Sequence, residues 1–258
     1  MRTVAFVVHE GRSAAVEATT TLRMSLERAG VRCVETTDGP VDLVVAVGGD
    51  GTFLRGAYVA SELDVPVVGV KVGRLGFLTE VEPGDAPDLI MAALAGSAPI
   101  DERLAVLAEP VGGQPFTPQW GMNEVMVEKR ARHRLVRLRL TVDGAYVTTF
   151  SADGVIVATP TGSTAYSFSA SGPIVSPSVE ALVVTAVAPH MVFDRSIVLD
   201  ATQAVELAVV GDEPGLLSAD GRDTVELPVG ARVRIRSATR RARFITPVSY
   251  THLTLPTN

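Results

Sequence analysis

The residues Gly48-Gly49-Asp50-Gly51-Thr52 follow a continuous apolar run, Asp42 to Val47, and precede a stretch of helical character, Phe53 to Ala60. A buried strand, a glycine turn and a helix start are the parts from which open α/β sheets build ligand sites, outside the carboxyl ends of their strands. Glycines let the backbone approach a phosphate chain with no Cβ in the way. Their N–H groups, added to the N-terminus of the next helix, favour an anion. Thr52 is placed to cap that helix. Asp50 is out of keeping with this chemistry, because a carboxylate among phosphate-binding amides repels its own ligand unless it has a task. Two tasks fit: taking a proton from an attacking hydroxyl, or helping to hold Mg²⁺. The plain alternative is a tight turn with a helix-capping acid. The turn is not a Walker A loop, since no Gly-Lys-Ser/Thr follows, and it lacks the GxGxxG spacing.

Further polar groups lie outside this turn. Asn123-Glu124 precedes the strand Val125-Met126-Val127. Such a pair can accept hydrogen bonds from vicinal ribose hydroxyls, although an ordinary polar turn has the same composition. Thr159-Pro160-Thr161-Gly162-Ser163-Thr164-Ala165-Tyr166-Ser167 follows another strand, Val155 to Ala158, which Asp153-Gly154 introduces. Small hydroxyl residues around one glycine can line a polar pocket, and Tyr166 can stack on a ring. A Ser/Thr-rich loop with no ligand is the alternative. Gly73-Arg74-Leu75-Gly76-Phe77-Leu78 suits a tight turn at the ligand edge of the sheet, with Phe77 and Leu78 read as packing.

The elements that must position these residues fall into two halves. Val4 to Val8, Asp42 to Val47 and Val65 to Val70 read as strands. Ser13 to Ala29, Phe53 to Ala60 and Pro87 to Ala95 read as helices, two of them stopped by Gly30 and Gly96. This βαβαβα order predicts an α/β domain with a parallel sheet over residues 1–100. Beyond Pro99-Ile100-Asp101 the pattern changes. Arg134 to Thr141 alternates, Asp143-Gly144 is a hairpin turn and Tyr146 to Phe150 is the return strand. Val155 to Ala158, Leu182 to Ala188, Ile197 to Leu199, Val205 to Val210 and Val233 to Ile235 add strands, and Asp220-Gly221 is another hairpin turn. Residues 101–247 therefore read as a β-rich, mostly antiparallel domain. Residues 248–258 carry no charge and resemble a translated sequencing adapter, so they are expected to be a non-native tail, with a genuine disordered terminus as the alternative.

Composition narrows the function classes. Of 258 residues 47% are hydrophobic and 20% charged, as in a folded globular chain. The formal net charge of −6 argues against nonspecific binding to nucleic acid. The basic residues Lys129, Arg130, Arg132, Arg134, Arg137 and Arg139 have no aromatics among them and read as a solvated strand face, as do Arg232, Arg234 and Arg236. Cys33 is the single cysteine, which excludes an internal disulfide and fits a cytoplasmic protein. The four histidines are scattered, so no zinc-site spacing exists and no side chain is assigned to a metal. No apolar run is long enough to span a bilayer.

In this order, the motifs resemble the NAD kinase family over nearly the whole chain, from residue 1 to about 245. The glycine turn alone resembles loops of diacylglycerol kinases, sphingosine kinases and phosphofructokinases. The Asn-Glu pair followed by Asp153-Gly154-Val155-Ile156-Val157-Ala158-Thr159-Pro160-Thr161-Gly162-Ser163-Thr164-Ala165-Tyr166 looks like the NAD kinase signature, and Gly73 to Leu78 and Pro189-His190 match too. The resemblance implies transfer of the γ-phosphate of ATP, or phosphate from polyphosphate in its place, to the 2′-hydroxyl of the adenosine ribose of NAD. It implies Asp50 as the base that activates the hydroxyl, and Gly49, Gly51 and Thr52 as phosphate-holding residues. Asn123, Glu124, Asp153, Thr161, Ser163, Thr164, Ala165 and Tyr166 would bind NAD. The site would lie in the cleft between the domains. Mg²⁺ or another divalent cation would arrive with ATP, and subunit contacts in a dimer or tetramer can complete the NAD site.

The sequence departs from the family pattern at Lys71, where Asn is usual, at Ser171, where a second glycine is usual, and at Ser196, where proline is usual. The last residues replace the usual basic-apolar final helix. A lipid or sugar kinase with the same glycine turn, and a noncatalytic dinucleotide sensor, are the competing readings. The Thr161 to Tyr166 segment supplies neither an apolar groove nor a sugar-binding set, and an intact Asp50 speaks against the sensor.

Overall fold

A fully buried strand, Leu43–Gly48, centres the first part of the chain, and the second part mixes alternating strands such as Val136–Val142 with buried ones such as Gly154–Ala158. The computed structural model describes residues 2–34, 39–73, 78, 81–113, 116–190 and 194–246. The expected tail, residues 248–258, lies outside them. Two units form: Met1–Glu102 with Arg240–Asn258, and Arg103–Thr239.

The chain opens with β1 (Thr3–Val8), α1 (Ser13–Arg28), β2 (Arg32–Val34), β3 (Leu43–Gly48), α2 (Asp50–Leu63), β4 (Val67–Lys71), α3 (Ala86–Leu94) and β5 (Ile100–Arg103). It continues through β6 (Val106–Val111), β7 (Gln119–Gly121), β8 (Glu124–Lys129), β9 (Val136–Val142), β10 (Ala145–Ala152) and β11 (Gly154–Ala158). A 3₁₀ turn (Thr161–Thr164) and the short α4 (Tyr166–Ser169) follow, then β12 (Ala181–Val187), β13 (Ile197–Asp200), β14 (Val205–Val210), β15 (Gly215–Ala219), β16 (Arg222–Leu227), β17 (Arg232–Ser237) and β18 (Ala242–Ile245).

The sheet of the first unit has the order β2-β1-β3-β4-β18-β5. Its pairs β1–β2, β1–β3 and β3–β4 are parallel, as the βαβα pattern predicts. Every residue of β3 is buried, which is why the run from Leu43 carries no alternation. α1 buries Ala15, Thr19, Leu22 and Leu26, one stripe at helical spacing, and stops where Gly30 turns to φ 81°.

The expected domain limits place residues 240–247 with the second half, whereas β18 pairs in parallel with β4 in the first sheet. Phe244 meets Phe53 of α2 edge to face at 5.6 Å between centroids. Arg243 ion-pairs with Asp64 at 2.7 Å, and Arg240 donates to Ser61 O at 3.2 Å. A four-residue strand at the end of a β-rich stretch carries no local sign of which sheet it joins.

The second unit holds two antiparallel sheets, ordered β10-β9-β14-β17-β6-β7 and β13-β12-β11-β8-β15-β16. Their facing sides share one core, which includes Leu138, Leu140, Phe150, Val205 and Ile235 from one sheet and Val125, Val157, Leu182 and Leu217 from the other. Along β9 burial alternates, leaving Arg137 and Arg139 exposed, the solvated face that the alternation predicts. The turn Asp143-Gly144 takes φ 48° and 81°, the left-handed pair that a two-residue hairpin needs. Strand β11 is buried throughout, because the chain after residue 158 covers its other side. There Met126, Ile156, Ala158 and Val183 pack against Ala170 and Val175. This cover carries the hydroxyl-rich motif.

Candidate active site

In the first unit, β3 passes into α2 almost without a loop. Gly48 ends the strand, Gly49 (φ −103°, ψ −170°) precedes the helix, and Asp50 is its first residue. Thr52 therefore lies inside the first turn and is not the cap that the sequence predicts. The helix starts two residues earlier, and no side chain caps it. Thr52 and Phe53 both donate their N–H to Gly49 O, at 3.0 Å each.

The glycines differ in kind. A Cβ on Gly48 would lie 2.6 Å from Thr52 Oγ1 and 3.2 Å from His9 Cβ, so packing inside the unit demands glycine. Among the described residues, leaving aside the chain neighbours and the helix's own backbone, nothing comes within 4 Å of such a Cβ at Gly49 or Gly51, and neither has a left-handed φ. No described residue of the unit crowds these two positions. Their missing side chains leave room above a helix N-terminus, whose first N–H groups and dipole suit an anion.

Asp50 is the acidic residue of the first turn of α2. Its Oδ1 accepts the N–H of Leu78 at 3.0 Å, which ties the carboxylate to the turn after β4. That turn is further held by Val72 N–H on Gly48 O at 3.2 Å. Gly73 takes φ 100° there, while residues 74–77, Phe77 among them, lie outside the described part. Lys71 spends its ammonium on Glu82, 2.7 Å away.

In the second unit, the motifs read separately from the sequence are bonded to one another. Thr159 N–H donates to Asn123 O at 2.8 Å, and its hydroxyl donates to Met122 O at 2.7 Å. The same hydroxyl accepts Gly162 N–H at 3.0 Å. A Cβ on Gly162 would sit 2.0 Å from Asn123 O, so the 3₁₀ turn rests directly on the Asn123 backbone. Asn123, Glu124, Thr161, Ser163, Thr164, Ala165 and Tyr166 are thus brought to one end of β8 and β11.

Their roles differ in reach. Ser163 is fully buried; its hydroxyl donates to Pro160 O at 2.6 Å and accepts Val175 N–H at 3.0 Å. Any ligand contact from Ser163 would come through its backbone. Thr164 donates to Thr161 O at 3.2 Å. Thr161 and Ala165 are part-exposed, and Tyr166 is 44% exposed, with its ring available for stacking. The two departures nearby also have visible places. Ser171 takes φ 65°, a conformation that glycine adopts more cheaply, and Ser196 Oγ lies 2.9 Å from Thr185 Oγ1.

Asp153 is not with this group. It precedes β11, whose far end, Ala158, pairs with Glu124. Five residues of strand separate them by roughly 17 Å. Asp153 instead ion-pairs with Lys129 Nζ at 2.5 Å, and its carbonyl accepts Lys129 N–H at 2.8 Å.

One residue that matters here reads in the sequence only as a turn former. Asp220, at the tip of the β15–β16 hairpin, accepts the N–H groups of Met122 (2.7 Å), Asn123 (2.9 Å) and Glu124 (3.0 Å). Burial and the nearby Asp220 carboxylate push the Glu124 carboxyl up to about 8. Burial raises Asp220 as well, but its three N–H donors and the Arg222 guanidinium oppose that shift. Glu124 Oε2 is buried and meets no hydrogen-bond partner among the described residues, so the proton belongs on Glu124.

A phosphate-suited helix start on a parallel sheet, followed by a β-rich unit with a ribose-suited polar cluster, is the plan of a two-part nucleotide phosphotransferase. The sequence matches the ATP-NAD kinase N-terminal domain over residues 4–98 and the ATP-NAD kinase C-terminal domain over residues 122–247. The chain belongs to the ATP-NAD kinase family. NAD kinase 2 of Streptomyces avermitilis is 38% identical over 91% of this chain and 86% of its own length. The NAD kinase of Desulforamulus reducens is 42% identical over 79% and 72%. Among solved structures, yeast NADH kinase complexed with NADH superposes with a TM-score of 0.86 at 23% identity, covering 96% of this chain and 84% of that one. An Archaeoglobus fulgidus NAD kinase in complex with ATP gives 0.76 at 26% identity, covering 95% and 94%.

Proposed function

We propose that this chain transfers the γ-phosphate of ATP to the 2′-hydroxyl of the adenosine ribose of NAD, giving NADP and ADP. The observation that carries this reading is a carboxylate, Asp50, at a helix start between two glycines that no described residue crowds. The open space at Gly49 and Gly51 suits phosphates, with Thr52 holding the turn beneath them. Asp50 takes the proton of the 2′-hydroxyl. The oxygen then attacks the γ-phosphorus in line, and the bond to the β–γ bridging oxygen breaks.

Asn123 and Glu124 grip ribose hydroxyls, while Thr161, Ala165 and Tyr166 face the dinucleotide. A divalent cation, Mg²⁺ or another, neutralises the charge of the phosphates when bound. Asp50 is the carboxylate that would help to hold such a cation together with the phosphate oxygens. The NAD-binding role that the family resemblance gives Asp153, which lies at the other end of β11 from Glu124, would need a second copy of the chain in a homo-oligomer. No helix among the described residues is long and apolar enough to cross a membrane, and a cytoplasmic enzyme acting on free NAD is the reading we favour.

The test is to incubate the protein with NAD, ATP and Mg²⁺ and to read NADP with an NADP-specific dehydrogenase. NADP formation that needs all three supports the proposal. Absence of NADP overturns it, and NAD binding without product points to the sensor. Replacing ATP by polyphosphate in the same assay decides the donor.

A further inference from the structure

The Asp220-Gly221 turn is a chain reversal by composition, yet its aspartate does more than turn the chain. Asp220 (φ 49°) and Gly221 (φ 67°) form the left-handed pair of the β15–β16 hairpin. A solvated turn would satisfy that geometry equally well with asparagine. Here the carboxylate points back across the sheet. Oδ2 accepts Met122 N–H at 2.7 Å, and Oδ1 accepts Asn123 N–H at 2.9 Å and Glu124 N–H at 3.0 Å. Asp220 N–H in turn donates to Glu124 O at 3.0 Å. A Cβ on Gly121 would lie 3.3 Å from Asp220 Oδ1 and 2.8 Å from Glu124 O, so glycine at 121 lets the carboxylate approach. Arg222 lends its positive charge nearby and donates to Trp120 O.

Three consecutive N–H groups on one carboxylate fix the backbone from Met122 to Glu124. From the other side Thr159 fixes the same stretch through Met122 O and Asn123 O, and Gly162 packs directly on Asn123. All of them together determine the direction in which the Asn123 and Glu124 side chains leave the strand.

We propose that Asp220 is a positioning residue for dinucleotide binding, its carboxylate clamping the Met122-Asn123-Glu124 backbone so that Asn123 and Glu124 meet the ribose in one fixed orientation. This rests on the proposed NAD kinase reading. The specificity of the clamp is chemical. An asparagine keeps the shape but turns one acceptor into an N–H donor facing Met122 N–H, and removes the charge that makes the N–H bonds strong.

The experiment compares the unmodified protein with Asp220→Asn, Asp220→Glu and Glu124→Gln, measuring KM for NAD, KM for ATP, kcat and Tm. Asp220→Asn should raise KM for NAD by about 10- to 100-fold and change KM for ATP by less than about 3-fold. Asp220→Glu, which keeps the charge but displaces it by a methylene, should show the same split with a smaller rise. In the Glu124→Gln background the Asp220→Asn effect on KM for NAD should shrink, because Asp220 acts through that side chain. An unchanged KM for NAD in folded Asp220→Asn overturns the proposal, as does an equal rise for both substrates. If neither Asp220 variant folds, the clamp is a folding determinant and the proposal fails. If the unmodified protein makes no NADP, the kinase reading itself falls, a result distinct from any of these.

Discussion

The two polar groups proposed to handle substrates are built differently. At Gly48 to Thr52 one continuous stretch of backbone supplies the chemistry: a strand end, a glycine and the first turn of α2. At Asn123-Glu124 three stretches distant in sequence are bonded together, with Asp220 nearly a hundred residues from the strand it holds (|i−j| of 96 to 98). In the first, no described residue crowds Gly49 or Gly51; in the second, a methyl group on Gly162 would collide with Asn123 O at 2.0 Å. A phosphate chain is bound by charge and N–H groups, which a helix start supplies wherever it occurs. A ribose is bound by the directions of its hydroxyls, which demand fixed side chains and hence a cross-tied scaffold.

This contrast makes different substitutions fail in different ways. The largest effect should come from the first region's one chemical group. Asp50→Asn should lower kcat by about 10²- to 10⁴-fold, with KM for NAD little changed, as steady-state kinetics would show. Gly162→Ala should be the most damaging change in the second region. Overpacking of this kind costs about 1–3 kcal/mol, and contact with a backbone oxygen puts it at the top of that range, read as a fall in Tm.

Glu124 comes next. Its folded-state value of about 8 lies above the usual 4.5, so bound protons favour the fold. That contribution is complete below pH 4.5 and is lost as pH rises through about 8. Glu124→Gln, which mimics the protonated acid, should therefore gain stability over the unmodified protein as pH rises, by on the order of 5 kcal/mol at pH 9. Denaturant titrations at pH 5 and pH 9 check this, and equal stabilities at both would place the proton elsewhere.

The glycines sharpen the comparison further. Gly51→Ala should leave Tm nearly unchanged and raise KM for ATP about tenfold, or roughly 1.4 kcal/mol. Gly48→Ala should lower Tm, because its Cβ meets Thr52 and His9. If Gly51→Ala leaves KM for ATP untouched, the open space is not a phosphate site. The smallest effect should be that of Lys71→Asn. With its ammonium on Glu82, Lys71 should contribute under about 1 kcal/mol to stability and leave both Michaelis constants within error.

Local pattern made the first region legible in the sequence. The apolar run before Gly48, the helical spacing of Ala15, Leu22 and Leu26, and the glycine stops all act within a few residues of one another. The hairpin at Asp143-Gly144 and the exposed Arg137 and Arg139 were legible for the same reason. What sequence reading missed depends on long-range pairing. The return of β18 to the first sheet, the partnership of Lys129 with Asp153 and the clamp by Asp220 join residues whose proximity no spacing rule encodes. The reading of Thr52 as a cap failed for a local reason. Two helix starts two residues apart have almost the same composition, and Gly49 rather than a hydroxyl residue took the cap position. The residue list for the second region was legible as a motif, but its internal division was not. Only the fold separates Ser163, turned inward, from Tyr166, turned outward.

The most direct test of the account follows the phosphate itself. The protein and its Asp50→Asn variant are incubated side by side with NAD and ATP labelled at the γ-phosphate, and the products are separated. The account predicts label in NADP, on the adenosine 2′-oxygen, in step with ADP release by the unmodified protein, and a rate at least about a hundredfold lower in the variant. Label appearing only as inorganic phosphate, or equal transfer by both proteins, would contradict it.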